Sequence, residues 1–151
     1  MLTQPQDRVS ENTPDSINRQ IRRDTEARFA RTAAQGKAAI TRRLRELDQE
    51  WDVERCLETI APTFTLIGIT LGLTVSKRWF IFPVAVQSFF LQHAIQGWCP
   101  PLPVLRSLGI RTAEEIEQER YALKALRGDF ASRGGGLRPI TVGQALKSTA
   151  N

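Results

Sequence analysis

The chain has 151 residues and a net charge of +5, with a pI near 9.9, which leaves room for one small domain with tails. Its two cysteines, Cys56 and Cys99, lie far apart and its single histidine is His93, so a disulfide scaffold and a paired-ligand zinc site are both excluded. The mean hydropathy of -0.28 averages over a segregated sequence in which two apolar runs stand between strongly polar arms.

Residues 1–15 are rich in Gln, Asp, Ser and Pro and contain no apolar run. They read as a disordered N-terminus without a cleavable secretory signal. Residues 16–58 form a charged helical arm. Its first part, to Ala34, has only a thin apolar face of Ile17, Ile21 and Phe29 and reads as a solvated helix. Gly36 breaks it, and Lys37 to Glu58 is a better amphipath in which Ile40, Leu44, Leu47 and Trp51 recur at helical spacing. Arg42, Arg43 and Arg45 accompany that stripe and Asp48, Glu50, Asp52, Glu54 and Glu58 follow it. The pattern predicts a helix that begins near a membrane surface and pairs with protein.

Residues 59–112 carry the apolar runs. Thr59 to Val75 holds seventeen residues without a charge, a helix of about 26 Å against a hydrocarbon core of about 30 Å. Trp79 to Gly97 has nineteen residues without Asp, Glu, Lys or Arg, but it carries Gln87, Gln92, His93 and Gln96, each needing a partner or an interface in lipid. Trp79 and Trp98 bracket this run as interface anchors, and Lys77 and Arg78 fill the turn. The expectation is an all-α chain, a two-helix transmembrane hairpin flanked by cytoplasmic amphipathic helices. A core hairpin of a small soluble helical protein shows a similar pattern. Two long uncharged runs in so short a chain favour the membrane.

On the first helix Ala61, Thr65, Gly68, Gly72 and Ser76 share one stripe containing a G-x-x-x-G, which lets another helix approach closely. On the second, Ala85, Ser88, Gln92 and Gln96 share a stripe. Either hairpin closure or dimerisation satisfies both. Lys and Arg near the runs are Arg42, Arg43, Arg45 and Arg55 before them and Arg106, Arg111 and Arg120 after, against Lys77 and Arg78 between. That bias places both termini in the cytoplasm.

Pro100, Pro101 and Pro103 push Cys99, Pro100 and Leu102 out of the helical region, and Pro103 opens a short turn stopped by Gly109. Residues 113–130 hold a cytoplasmic helix, Ala113 to Arg127, with Thr112 and Glu115 as a capping box and Gly128 as its stop. Residues 131–151, with glycines at 134 to 136, read as a flexible tail.

The hairpin, followed by Gly97, Trp98, Cys99, Pro100 and then Leu105, Leu108 and Gly109, resembles the YgaP-like inner-membrane transmembrane domain family, a small bacterial two-helix module. The resemblance covers roughly Arg55 to Gly109. It implies an integral hairpin of the inner (plasma) membrane with both termini cytoplasmic and a tendency to dimerise. Some members join the module to a rhodanese sulfurtransferase domain. This chain has no βαβ pattern for one, so sulfur transfer is not inherited.

Cys99 is a possible reactive thiol at the membrane edge. A helix C-terminus raises rather than lowers a thiol pKa, which favours a structural role. The chain offers no phosphate loop, triad spacing or carboxylate pair, so it reads as no enzyme, with no catalytic residue, cofactor or metal. The expected role is structural or accessory, with the lipid bilayer, a second copy and an unidentified cytoplasmic protein as partners. One alternative is a small transport or permeation element lined by Gln92, His93 and Gln96. A second is a soluble basic protein binding nucleic acid through Arg19, Arg22, Arg23, Arg42, Arg43 and Arg45, disfavoured by the interleaved Asp and Glu.

Overall fold

The computed structural model describes residues 8–130, and every regular element among them is helical. The chain runs through α1 (Arg8–Glu11), α2 (Asp15–Ala34), α3 (Lys37–Gln49), α4 (Val53–Thr74), a 3-10 turn (Lys77–Phe80), α5 (Ile81–Gln96), α6 (Leu102–Ser107) and α7 (Ala113–Arg127). The expected flexible tail, 131–151, and the first seven residues of the expected disordered N-terminus lie outside the described residues. The chain divides into two compact units, one holding residues up to Ile17 with Trp51–Thr112, the other Asn18–Glu50 with the chain from Ala113 onward.

In the second unit α2, α3 and α7 enclose Phe29, Ile40, Leu44, Leu47, Ile116, Ala122 and Leu123. The Ile40, Leu44 and Leu47 stripe is buried as its spacing predicts. Around that core, Arg43 Nε donates to Glu119 Oε1 at 2.9 Å and Arg120 pairs with Asp48 at 2.8 Å. Glu119 is buried. Burial alone lowers the Arg43 guanidinium, but hydrogen bonding to and attraction by Glu119 outweigh it and raise its pKa. Ile21 and Phe29 correct the reading of α2 as a solvated helix, because both are buried and the Phe29 ring is wholly enclosed. Gly36, at φ 85, turns the chain between α2 and α3 where a side chain would be strained.

The amphipath expected to continue from Lys37 to Glu58 ends instead at Gln49. Asp52 caps a new helix, its carboxylate accepting from the Arg55 N–H at 2.6 Å, so a favourable N-cap outweighs the apolar spacing. Trp51 consequently leaves the stripe. It is 47% exposed, with the Arg55 guanidinium 4.5 Å above its ring.

The first unit holds α4, the 3-10 turn, α5 and α6, together with α1. The stretch from Arg8 to Thr13, read as part of the disordered N-terminus, is ordered because Val9 and Thr13 are buried. Gly97 in the left-handed conformation ends α5, its N–H returning to the His93 carbonyl at 2.7 Å. The prolines act one step later. Leu102, expected outside a helix, is the first residue of α6, with Pro103 in that helix's first turn, where a missing N–H costs nothing.

Candidate functional site: the apolar helix pair and the Cys99 cluster

The threonines of α4 decide what its surface presents. Thr59, Thr63, Thr65, Thr70 and Thr74 each donate a hydroxyl to the carbonyl four residues earlier, at 2.7 to 2.8 Å. Their polarity is thus absorbed inside the helix, and the run is effectively more apolar than its composition. Counted across the short break at Glu50–Asp52, the helical stretch Lys37–Thr74 is the one among the described residues long and apolar enough, by length and composition, to cross a membrane. Only 22% of its most apolar window is buried. With 16 residues, α5 reaches about 24 Å, shorter than the nineteen-residue run because its first residues form the 3-10 turn.

The glycine stripe of α4 meets α5 of the same chain. A Cβ on Gly68 would stand 2.5 Å from Pro83 Cδ, and one on Gly72 2.9 Å from the Phe80 ring. Ala61 is buried on the same side. Thr65 Oγ1 accepts from Gln87 Nε2 at 2.7 Å, and Phe64 meets Phe82 edge to face with ring centroids 6.0 Å apart. The pairs Gly72 with Phe80, Gly68 with Pro83 and Thr65 with Gln87 run in opposite chain directions, so the two helices are antiparallel. Ser76 lies beyond this seam, exposed, its hydroxyl accepting from the Arg78 N–H at 3.4 Å.

The α5 stripe behaves differently. Ala85, Ser88 and Gln96 are exposed, and Gln92 donates only to Gln96 along the helix, at 3.4 Å. Closure of the pair therefore takes up the glycine stripe and leaves this one outside. Gln87, Phe80 and Pro83 are the α5-side partners that spacing alone did not single out. The signal for them was the aromatic and proline cluster beside the turn. His93 is buried and its Nδ1 makes no hydrogen bond. Trp79 and Trp98 stand at opposite ends of α5 and are 44% and 36% exposed.

Below the seam, Cys99 joins Val9, Val53, Cys56, Leu57, Leu102 and Leu105 in a second apolar cluster. Both thiols are free and buried. Burial pushes the Cys99 thiol up, partly offset by a backbone hydrogen bond from Leu102. Each thiol is covered, the opposite of an exposed, activated nucleophile.

Arg106 and Arg111, counted from the sequence among the topology-setting charges, have their side chains buried. Arg106 Nη1 donates to the Ile110 carbonyl at 3.1 Å, and the Arg111 carbonyl accepts from the Val53 N–H at 3.0 Å, tying the end of this segment to the start of α4. No group of three His, Cys, Asp or Glu side chains suited to a metal ion occurs among the described residues. Compared with family models, curated proteins and solved structures, the chain matches none.

Proposed function

We propose that the chain is a small integral protein of the bacterial inner membrane, in which α4 and α5 form a transmembrane hairpin and both termini are cytoplasmic. Its role is structural or accessory, with the charged helices α2, α3 and α7 presented to a cytoplasmic protein. The observation that carries this reading is the direction in which the apolar pair faces. Leu73 and Ile81 are 75% and 78% exposed, and Leu66, Val84, Leu91 and Ile95 are exposed with them, while the Thr hydroxyls are bonded within the helix and Gln87 is bonded to Thr65. An outward apolar band of this extent is unfavourable in water and matched to acyl chains.

The resemblance to the YgaP-like family, without its rhodanese domain, supports the same reading through the Gly97 to Pro100 run and the short apolar pair. Self-association, which that family implies, would use the exposed face of α5 at Ala85, Ser88 and Gln96, because the glycine seam is occupied within one chain. Alkaline carbonate extraction of membranes containing the full chain tests the proposal. Retention in the pellet is expected, and release into the supernatant would overturn it.

A further inference from the structure

We propose that the helical turn Arg8–Glu11 is a latch across the C-terminal end of α5, and that its opening uncovers the Cys99 cluster. The last carbonyls of a helix have no N–H partner within it. Here three of them are met by the N-terminal turn. Arg8 Nη1 donates to the carbonyls of Ala94, at 2.5 Å, and Ile95, at 3.3 Å. Asn12 Nδ2 donates to that of Gln96 at 3.0 Å. A guanidinium at this position also complements the negative end of the α5 dipole.

The fit extends to the backbone. A Cβ on Gly97 would stand 2.5 Å from Arg8 Cβ and 2.8 Å from the Arg8 carbonyl carbon, so the latch rests where only a glycine leaves room. Val9 is the tooth. It is buried in the cluster that holds Cys99, Leu102 and Leu105, and its carbonyl is held by the buried Thr13 hydroxyl at 2.7 Å.

A helix of four residues is far below the length that persists alone. The turn is therefore ordered by what it touches, and it belongs to the low-stability end of local opening. When it swings away, the α5 carbonyls and the Cys99 wall are exposed together. The device does not depend on lipid around α4 and α5.

The test is native-state maleimide labelling of Cys99 in the full chain carrying Cys56→Ala. Labelling of this parent should be slow. Arg8→Ala with Asn12→Ala, which removes all three bonds, should accelerate it by at least about tenfold, the factor that the loss of even one charge-assisted hydrogen bond commands, and Val9→Asp should do the same. Fast labelling of the parent, or equal rates in parent and variants, would overturn the latch. A second measurement does not require the turn to be weakened. Asn12→Cys with Gln96→Cys, in a chain carrying Cys56→Ala and Cys99→Ala, should close an intramolecular link with a short bismaleimide. Absence of that link would also overturn the proposal.

Discussion

In the unit of α4, α5 and α6, the threonine hydroxyls of α4 are satisfied within their own helix and Gln87 by one short reach across the seam. In the unit of α2, α3 and α7, satisfaction comes from charged side chains that bridge helices. The first strategy leaves apolar side chains free to face outward, as Leu73 and Ile81 do. The second keeps the apolar set inside, around Phe29 and Leu123, and leaves the surface charged. The two units of one short chain thus differ both in which residues are apolar and in where the hydrogen bonds go.

The largest effect expected on this contrast comes from the α4 seam. Gly68→Ile with Gly72→Ile must displace Pro83 and Phe80, at about 1–3 kcal/mol for each overpacked site. The loss should fall harder on Gly68, whose obstacle is a proline ring fixed to the backbone, than on Gly72, which meets a ring that can turn. All three tryptophans lie in this unit, so a lowered unfolding midpoint read by their fluorescence checks it. An unchanged midpoint would place the seam elsewhere.

The matching perturbation of the charged unit is Glu119→Ala, which strips Arg43 of its buried carboxylate while Glu46 and Glu50 remain beside it. About 2–3 kcal/mol should be lost, visible as faster hydrogen exchange in α3 and α7. Gly97→Ala sharpens the description of the α5 end. It imposes φ 75 on an L residue and drives its Cβ into Arg8, so about 1–2 kcal/mol is expected, with faster exchange in the last turn of α5. The smallest effect belongs to Asp52→Ala, about 1 kcal/mol from a lost N-cap, which should fray the first turn of α4 without moving the seam.

How much of this was legible in the sequence varies by element. The bounds of α7 followed from Thr112, Glu115 and Gly128, because caps are local signals. The stripe of α3 followed from its spacing. The break before α4 did not, since Trp51 continues the apolar rhythm and one Asp changes the outcome. For α5 the sequence showed that small and polar residues share a face. It did not show that Gln87 rather than Gln92 crosses to α4, because the contact depends on the register set by the 3-10 turn. The α1 turn was unreadable, having four residues and no stability apart from the surface it covers.

The threonine ladder of α4 bears on mechanics as well as polarity. Back-bonded hydroxyls crowd their acceptor carbonyls and favour curvature, and Pro62 inside the same helix gives no N–H to the carbonyl of Glu58. A helix of 22 residues, about 33 Å long, that bends readily has an adjustable projected length. On the membrane proposal, α4 can conform to bilayers of different thickness, while the partner helix of about 24 Å sets the shorter limit.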